Sequence, residues 1–527
     1  MTLKLREIAL HLDESEDLIP SKIATILSFD VQNIDCWKIV RKGIDARRKP
    51  DVLRVYTVEF SCADEFELLQ NNPHITTLTE VKNKPLLELC SCKIQSKILV
   101  VGMGPAGLFA ALSLAEAGGQ VSLIERGRPV AERLQDVNNF WSGNELKSES
   151  NIQFGEGGAG TFSDGKLSSR LNHPAIRYVL ERLVEFGAPE EILWQAKPHI
   201  GSDRLRGVLV NFRQHLLSLG VDIQFSSRLT DFEMIDQQIR AGIINDLERI
   251  ECNQIVLATG HSARDTYQLL ADKNVILEPK PFAIGLRVEH PLELINQIQY
   301  GMQSHPQLPS ADYRLAWNNP ETGRGVYSFC MCPGGMVVNA SSEPEGLVVN
   351  GMSDYSRAAS KSNSALVVSV TPGDFSTTDV LAGINWQRKW EHAAYLAGGS
   401  SWHAPAQPLL EFLKGRGGNL DSSCQPQVVH ADLNTCLPDF VTKNLRQALP
   451  IFNQRMRGFV GPEATLIGVE TRTSAPLRIV RDQHGESVSH KGLFPAGEGA
   501  GYAGGIMSAA IDGLKAAIAI SNTNGIF

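Results

Sequence analysis

The first part of the chain alternates between two kinds of short apolar run. Runs rich in β-branched and aromatic residues predict strands at LREIALHL, IDCWKIVRKGI, VLRVYTVEF and ITTLTEVK. Helical spacing of apolar residues predicts helices at IPSKIATILSF and ADEFELLQN. The resulting order β-α-β-β-α-β predicts that residues 1–90 form an N-terminal α+β module of the ferredoxin-like, or split βαβ, plan.

The hydrophobic pattern changes at Lys97. A continuous apolar run at 98–101 is followed by a glycine turn, an apolar helix at 108–117 and a second apolar run at 121–124. Uninterrupted apolar runs are typical of parallel strands that are buried on both faces. This part of the chain therefore predicts an α/β domain with a parallel sheet.

Later segments extend that domain and interrupt it. We predict a Rossmann-like domain at 96–280 and 486–527, whose last segment supplies a central strand and a helix. Residues 172–204 are open to assignment to either domain. Residues 281–485 contain short strands, many Gly and Pro turns and little helical periodicity, which predicts an inserted β-rich substrate domain.

The pattern GxGxxG occurs three times, beginning at Gly102, Gly155 and Gly499. Only the first match lies between an apolar strand and a helix, as a dinucleotide-binding turn does. Gly102 permits the tight turn, Gly104 lets the backbone approach a pyrophosphate, and Gly107 lets the helix pack closely on the strand. The predicted nucleotide-binding turn comprises Gly102, Gly104, Pro105, Ala106 and Gly107.

An acidic residue ends the second strand of this unit. Glu125 lies about 20 residues beyond the glycine turn, where an acid accepts hydrogen bonds from a ribose 2′-hydroxyl. This position favours a nucleotide without a 2′-phosphate. Arg126 follows directly and weakens that exclusion, so both residues are candidate nucleotide contacts.

The C-terminal segment resembles a flavoprotein motif. Ala496-Gly497-Glu498 resembles the C-terminal FAD motif of two-domain flavoproteins, although Asp is commoner than Glu at the last position. The resemblance implies that Glu498 holds the ribityl chain and that the following helix N-terminus faces the flavin. Further contacts implied by the resemblance are a backbone pairing of Leu229 with adenine, the turn of Thr259 and Gly260 that closes the domain, and the helix start at Gly504, Gly505 and Ile506.

The remaining glycine match, FGEGGAGTFSDGKL, has no flanking strand and helix. Its glycines, among them Gly157 and Gly158, can direct backbone N–H groups at a phosphate or a flavin edge, and the alternative is a flexible lid without ligand contact. Together with GLRVEHP, FCMCPGG, NGMS and GVETRTSAPLRI, these motifs resemble an uncharacterised bacterial family of FAD-dependent dehydrogenases within the glutathione-reductase-like flavoprotein superfamily. The resemblance covers residues 95–527 and implies noncovalent FAD but little about the substrate, which we expect to be a small molecule. No second complete dinucleotide fold is visible in the sequence, so NAD(P)H would bind transiently, or the reductant would be the substrate or another protein.

The composition says more about the partners and the compartment of this protein than about the reaction it catalyses. The formal net charge of −8 over 527 residues argues against a surface built for nucleic acid or anionic membranes. The apolar stretch at 98–115 is interrupted by three glycines and a proline, so we predict no membrane span. Nine scattered cysteines and an N-terminus without an apolar leader predict a cytoplasmic protein.

A flavin performs redox chemistry itself, so the sequence does not have to supply a conspicuous catalytic base. The pair Cys330 and Cys332 in CMCPGG is the residue pair best suited by type to redox or nucleophilic chemistry. We treat both cysteines as weak catalytic candidates. Two cysteines so close could exchange electrons with a flavin or form a strained disulfide, but a turn with two buried, inert thiols is favoured. A zinc site that also uses Cys90 and Cys92 is disfavoured by the CxC spacing, so no metal is predicted.

Other polar residues are weaker candidates for a substrate pocket. His199 and Arg472 could bind an anion or shuttle a proton, although each residue type is more often structural. The same reasoning applies to Asp203, His261, Arg264, Arg287 and His290.

A rival hypothesis rests on the N-terminal module. The stretch from Lys38 to Arg54 contains seven basic residues against two acidic ones, and a basic hairpin on such a sheet could contact RNA. In that case the chain would be a flavin-bound RNA- or protein-interaction factor in which FAD is structural or a redox sensor. No stacking aromatic motif is visible, and a solvated or docking hairpin is favoured.

Overall fold

The computed structural model describes residues 2–82, 96–169, 171–375 and 379–524. Its N-terminal module contains four strands and two helices: β1 (Leu3–His11), α1 (Ile19–Leu27), β2 (Ile34–Asp45), β3 (Leu53–Cys62), α2 (Glu65–Asn71) and β4 (Leu78–Glu80). The strands form an antiparallel sheet in the order β2-β3-β1-β4. Burial alternates along β3, which places Tyr56, Val58 and Phe60 against Ile23 of α1 in one small core.

The module is docked on the rest of the protein through its β2–β3 hairpin. The Lys42 backbone donates to the Trp194 carbonyl at 2.8 Å, and the Ala196 N–H donates back to the Lys42 carbonyl at 2.8 Å. Lys49 Nζ also donates to the Ile298 carbonyl at 2.6 Å. The hairpin that the sequence marks as basic therefore forms part of an intramolecular interface.

The second region, here called the parallel-sheet region, begins after the module. Its strands are β5 (Lys97–Val101), β6 (Gln120–Glu125), β7 (Asp222–Phe225), β8 (Leu229–Ile235), β9 (Gln238–Ile244), β10 (Glu248–Glu251) and β11 (Gln254–Leu257). Its helices are α3 (Pro105–Glu116), α4 (Val130–Trp141), α5 (Ala175–Glu185), α6 (Ser202–Ser218) and α7 (Arg264–Asp272). The stretch 98–115, long enough for a membrane span, is thus a strand and a helix, and no helix of the described residues has the length and apolarity to cross a membrane.

The third region, called the inserted region, follows. Its strands are β12 (Leu277–Pro279), β13 (Phe282–Pro291), β14 (Ala316–Asn318), β15 (Gly325–Cys332), β16 (Met336–Asn339), β17 (Val349–Met352), β18 (Lys361–Val370), β19 (Ala404–Pro408), β20 (Val428–His430), β21 (Thr465–Glu470) and β22 (Leu477–Ile479). Its helices are α8 (Leu292–Tyr300), α9 (Ala382–Ala397), α10 (Leu409–Lys414) and α11 (Asp439–Arg455). Seven strands form a mainly antiparallel sheet in the order β14-β15-β18-β13-β21-β19-β20.

The chain then returns to the parallel-sheet region as β23 (Leu493–Pro495) and α12 (Ile506–Asn524). The five-stranded parallel sheet has the order β23-β11-β5-β6-β7. The expectation of a central C-terminal strand is wrong, because β23 lies at the edge and pairs only with β11 within this sheet. The larger contribution of this segment is α12, whose apolar residues share a core with α3, α5 and α6.

Two long helices of the inserted region escaped the sequence analysis. In α9 the buried positions include Gln387 and Glu391, which bind other polar groups and so interrupt the apolar stripe. In α11, Pro450 lies inside the helix although Leu445 and Phe452 keep the helical spacing toward the core. Burial of polar side chains and an internal proline thus hid the periodicity on which the prediction depended.

Candidate functional site

The first glycine motif forms the turn between β5 and α3. Gly102 has φ +100°, and a Cβ at this position would lie 2.5 Å from the Ala258 carbonyl oxygen. A Cβ at Gly107 would overlap the Gly102 carbonyl, so the helix can approach the strand only with glycine there. Gly104 begins α3 without a side-chain cap, and Pro105 occupies the first turn, where its missing N–H is harmless.

The carboxylate of Glu125 fixes the backbone around this turn. Its Oε2 accepts the Met103 N–H at 2.8 Å, and its Oε1 accepts the N–H groups of Gly127 and Gly155 at 2.9 and 3.0 Å. Each carboxylate oxygen accepts about two hydrogen bonds, so Oε2 retains capacity for a ribose hydroxyl.

The side chain of Arg126 is committed elsewhere. Its guanidinium binds the carboxylates of Glu149 and Asp265 at 2.8 Å each and lies over the Phe154 ring. These contacts leave the Arg126 guanidinium poorly placed to neutralise a 2′-phosphate. They are also sufficient to explain why this side chain is largely buried.

The second glycine motif packs directly against the first. The Gly157 N–H donates to the Met103 carbonyl at 2.8 Å, and a Cβ at Gly158 would lie 3.1 Å from the Gly104 Cα. The fully buried Arg133 holds this loop by donating to the carbonyls of Asn151, Ile152 and Glu156 at 2.7–2.8 Å. The loop is therefore fixed against the turn by these contacts. The sequence alone also allowed the alternative of a flexible lid without ligand contact.

The C-terminal motif completes the same site. A Cβ at Gly497, which has φ +79°, would lie 2.9 Å from the Ala106 Cβ, and a Cβ at Gly499 would lie 2.6 Å from the Gly260 carbonyl oxygen. The Ile506 side chain lies 3.2 Å from the position of a Cβ on Gly160. All three glycine motifs of the sequence therefore meet at one place, between the N-terminal ends of α3 and α12.

This meeting point has the properties of a dinucleotide cradle. Added Cβ atoms at Gly260, Gly504 and Gly505 would meet no atom within 4 Å, and at Gly104 only the Gly158 Cα at 3.9 Å. Open space thus lies beside glycine backbone at the uncapped start of α3, where free N–H groups and the helix dipole attract phosphate. Thr259 lies on the same turn as Gly260.

Leu229 lies at the start of β8 with its side chain in the hydrophobic core. The preceding residues run beside the end of β6, because the Ser227 N–H donates to the Glu125 carbonyl at 2.9 Å. The chain just before Leu229 therefore lies beside the end of β6, and the pairing of the Leu229 backbone with adenine stays a prediction.

A second cluster, here called the thiol cluster, comprises Lys166, Arg287, Cys330, Cys332 and Glu470. Arg287 Nη1 donates to the Cys330 carbonyl at 3.2 Å, and Nε donates to Glu470 at 2.9 Å. Cys332 is fully buried, whereas Cys330 is half-buried and has φ +42° at a register shift between β15 and β18. Such an irregularity redirects a side chain from the regular face of a strand.

The two thiols differ in their ionisation. The hydrogen bond with Cys332 lowers the pKa of Cys330, and the nearby Lys166 ammonium and Arg287 guanidinium reinforce this against the effect of burial. The same hydrogen bond, together with burial, raises the pKa of Cys332. Burial lowers the pKa of Lys166, but the nearby thiols and the Asp164 carboxylate outweigh it and raise that pKa overall.

Glu470 is the acidic member of the thiol cluster. Burial raises the pKa of Glu470 to about 7, although the charge of Arg287 opposes the shift and His261 also lies within electrostatic range. His261 Nδ1 in turn lies 3.2 Å from Glu498 Oε1. His261 therefore contacts the C-terminal motif, and Glu470 contacts Arg287 of the thiol cluster at 2.9 Å.

The other candidates have structural partners. Arg472 donates to Glu391 at 2.8–3.0 Å and to the hydroxyls of Ser262 and Ser342 at 3.1 and 2.7 Å. Arg264 binds the same Glu391 at 2.7 Å. These contacts form a buried ion network between the parallel-sheet and inserted regions and leave neither arginine available for a substrate anion.

Three further candidates also bind the protein itself. His199 Nε2 contacts the Tyr355 carbonyl at 2.9 Å, and burial lowers its pKa. Asp203 accepts the Tyr355 N–H at 2.7 Å. His290 Nε2 contacts the Phe459 carbonyl at 2.8 Å, and burial lowers its pKa to about 4.

No group of three or more metal-ligating side chains occurs in the part of the chain that the structure describes; Cys90 and Cys92 lie outside it. Sequence reasoning missed Lys166, Glu470 and Arg133. Lys166 and Glu470 lie in two motifs that attracted notice, FGEGGAGTFSDGKL and GVETRTSAPLRI, but nothing local indicates that they meet.

Comparisons with known proteins support the cofactor suggested by this geometry. Residues 96–277 match the family described as pyridine nucleotide-disulphide oxidoreductase, and residues 281–473 match "FAD-dependent protein, C-terminal domain-like". Residues 2–61 match a domain of unknown function. An uncharacterized protein from Clostridium beijerinckii is 42% identical over 523 residues, which are 98% of each chain.

Solved flavoprotein structures give a weaker likeness. A flavin-dependent brominase, Bmp2, in triple-mutant form is 11% identical over 82% of this chain and 81% of its own, with a TM-score of 0.37. Glycine oxidase from Bacillus cereus is 10% identical over 81% and 98% of the two chains, with a TM-score of 0.35. At these TM-scores the likeness supports no argument about activity. By its near full-length relative and its domain matches, the chain belongs to a family of FAD-dependent flavoproteins that it shares with the clostridial protein, and its cofactor is FAD.

Proposed function

We propose that this protein is an FAD-dependent oxidoreductase, specifically a dehydrogenase, that acts on a small molecule between the parallel-sheet and inserted regions. The observation that carries the proposal is the meeting of the three glycine motifs beside open space at the uncapped start of α3. The Glu498 carboxylate of the C-terminal motif lies 3.2 Å from His261 at the same place, and Glu470, whose pKa burial raises to about 7, belongs to the adjoining inserted region.

Within this proposal, the glycine motifs hold the cofactor. Gly104 at the start of α3 takes the pyrophosphate, because its backbone borders open space, while Gly102 and Gly107 allow the tight turn and the close packing of the helix on the strand. Glu125 takes the ribose through its remaining acceptor capacity. The remaining contacts in the proposal are Pro105, Ala106, Arg126, Gly157, Gly158, Leu229, Thr259, Gly260, Gly497, Glu498, Gly504, Gly505 and Ile506. Bound FAD supplies hydride and electron chemistry, and the protein orients it and excludes competing reactions.

The nicotinamide donor is proposed to bind only transiently. The described residues form one five-stranded parallel sheet, and the other sheets are antiparallel or mainly so. A dedicated second dinucleotide fold would need a further parallel βαβ unit. We also propose a cytoplasmic location, in keeping with the seven described cysteines, which are all free thiols.

The rival hypothesis of an RNA-interaction factor is not favoured. In the basic hairpin, Lys42 pairs with Glu16 at 2.6 Å, and Arg47 pairs with Asp45 at 2.5 Å. Arg54 is 2% exposed and donates to backbone carbonyls. These pairings lower the free positive charge that phosphate contacts require.

Anaerobic spectroscopy tests the proposal directly. We expect the purified protein to be yellow, to release intact FAD on denaturation, and to lose its flavin absorbance on addition of NADH or NADPH without oxygen. The control is the same titration after nuclease treatment and removal of nucleic acid. Release of FMN, or a flavin that neither nicotinamide nor any tested organic reductant bleaches while RNA copurifies in fixed ratio, would contradict it.

A further inference from the structure

We propose that Lys280, Arg478 and Tyr502 form a docking site for the nicotinamide donor at the edge of the FAD cradle, where the two cations bind its pyrophosphate. This inference rests on the proposed function, in which the donor binds transiently and without a second dinucleotide fold. It names the side chains that receive the donor in place of such a fold.

The site lies where the last glycine motif packs on β22. Strands β12 and β22 are antiparallel with Glu278 opposite Arg478, and the Lys280 N–H extends the pairing by donating to the Pro476 carbonyl at 2.9 Å. Residues 278, 280 and 478 therefore share one face of this strand pair. A Cβ at Gly501 would lie 3.0 Å from the Arg478 Cα, so the turn of the glycine motif lies directly on this strand.

The two cations lack anionic partners in the protein. Neither Lys280 Nζ nor the Arg478 guanidinium forms a hydrogen bond or an ion pair with any residue that the structure describes, although both side chains are partly buried. The exposed Glu278 forms no such pair with Arg478 either, within the same described residues. Arg478 Nε is fully buried without a partner. A partly buried charge that the protein leaves uncompensated favours the binding of an anion.

The pKa of Lys280 agrees with this arrangement. Burial lowers this pKa and the positive charge of Arg478 adds to the shift, whereas the charge of Glu498 opposes it. The Glu498 carboxylate therefore does not offset the burial of the ammonium group. A bound phosphate would supply the missing negative charge.

Tyr502 adds an aromatic surface to the site. It is 37% exposed, and the guanidinium carbons of Arg478 and Arg481 lie 5.1 and 3.8 Å from its ring centroid. Arg481 is neutralised by Asp512 at 2.7 and 2.9 Å, so it fixes the ring, whereas Arg478 keeps its free charge. An accessible ring beside a free guanidinium and an ammonium group suits a ligand that carries both planar rings and phosphates.

The position of this site in the cradle favours the donor over FAD itself. The proposed function assigns the FAD pyrophosphate to Gly104, whereas Lys280 lies within electrostatic range of Glu498, which is assigned to the ribityl chain. Gly504, two residues beyond Tyr502, borders open space at the predicted flavin end. A ligand on Tyr502 therefore lies beside that end, and hydride transfer requires a nicotinamide to be held next to the flavin.

ADP-ribose, which has the adenosine and pyrophosphate of the donor but no nicotinamide, is the probe for the full-length, FAD-loaded protein. Isothermal titration calorimetry measures its Kd, and the flavin spectrum after dialysis shows whether FAD has been displaced. We expect saturable binding that weakens by about threefold or more when salt rises from about 50 to about 300 mM, because salt screens accessible charges. Adenosine, which has no phosphate, should bind at least about tenfold more weakly.

Four variants test the three side chains. Lys280→Met and Arg478→Gln should each weaken ADP-ribose binding by about tenfold, because each removes a charge-assisted contact with the pyrophosphate. Arg478→Lys keeps the positive charge and should bind within about threefold of the wild type. Tyr502→Leu removes the ring and should weaken binding by about fivefold or more.

Two cations that already have partners provide matched controls. Lys273 pairs with Asp231 at 2.7 Å, and Arg249 pairs with Glu233 at 2.9 Å. Lys273→Met and Arg249→Gln should therefore bind ADP-ribose as the wild type does. All of these variants should retain FAD.

The inference is overturned if ADP-ribose does not bind the FAD-loaded protein, or binds Lys280→Met and Arg478→Gln as tightly as the wild type. Loss of FAD from these two variants would also overturn it, because the cations would then serve the phosphates of FAD. The binding readout is independent of turnover. If no nicotinamide donor reduces the flavin while ADP-ribose binds through these residues, the proposed function fails and a dinucleotide site remains. Normal reduction of the flavin with unchanged ADP-ribose binding in the variants would remove only this inference.

Discussion

Gly497 and Ala106 bring the two ends of the parallel-sheet region into contact, because a Cβ at residue 497 would lie 2.9 Å from the Ala106 Cβ. Gly497→Ala should therefore destabilise the protein by about 2–4 kcal/mol through crowding and its φ of +79°. The double variant Gly497→Ala with Ala106→Gly removes the crowding and should recover about half of that loss, leaving the backbone cost. Thermal unfolding monitored by circular dichroism, with flavin content measured in parallel, gives both values. Equal losses in the single and double variants would show that this contact is not the cause.

The Gly104 backbone borders the cradle without being crowded in the protein itself. A side chain at this position would meet only the Gly158 Cα at 3.9 Å, and φ is −77°, so Gly104→Val should fold with a loss of no more than about 1 kcal/mol. Its valine would occupy the space of the pyrophosphate, and the protein should purify without FAD. Gly207→Ala, also free of contacts within 4 Å but inside α6, is the control and should remain yellow. Full FAD occupancy in Gly104→Val would mean that another glycine turn binds the phosphates.

The carboxylate of Glu391 joins two buried arginines from different parts of the chain. It accepts from Arg264 at 2.7 Å and from Arg472 at 2.8 Å. Glu391→Gln removes the fully buried carboxylate that both cations share and leaves them Glu343, which is 26% exposed, so it should cost about 3 kcal/mol in the free energy of unfolding, measured by urea denaturation. Glu345→Gln, at a carboxylate that is 69% exposed, should change stability by less than about 0.5 kcal/mol. A neutral result at Glu391 would show that the network is not required to join the parallel-sheet and inserted regions.

His290 gives the inserted region a specific dependence on pH. Burial lowers its pKa from 6.5 to about 4, so the unfolded chain binds more protons than the folded chain between these two values. Its contribution to stability is therefore complete above pH 6.5 and is lost as the pH falls toward 4, by up to about 3 kcal/mol. His290→Gln keeps a donor for the Phe459 carbonyl and should flatten that part of the stability profile, measured by urea denaturation at pH 7.5 and pH 5. The same slope in the variant would assign the dependence to another group.

The local sequence pattern was sufficient to predict those structural elements whose residues are contiguous in the chain. The β5–α3 turn could be predicted because its strand, glycines and helix are contiguous in the chain. The strands and helices of the N-terminal module could be predicted for the same reason, because their residues keep regular periodicities. Helices α9 and α11 could not be predicted, because buried polar residues and Pro450 break the apolar spacing.

The sequence by itself determined the motifs from which we predict cofactor binding: three glycine motifs, an acid at the end of β6 and the C-terminal helix start. Tertiary structure decided how those motifs meet and which side chains face them. Arg287 and Glu470 are separated by 183 positions, and Arg264 and Glu391 by 127, so no local periodicity relates them. Their pairing depends on the packing of distant elements, where burial strengthens charge interactions that an isolated segment in water would lose. For that reason the glycine motifs could be recognised in the chain, whereas the buried ion pairs required the fold.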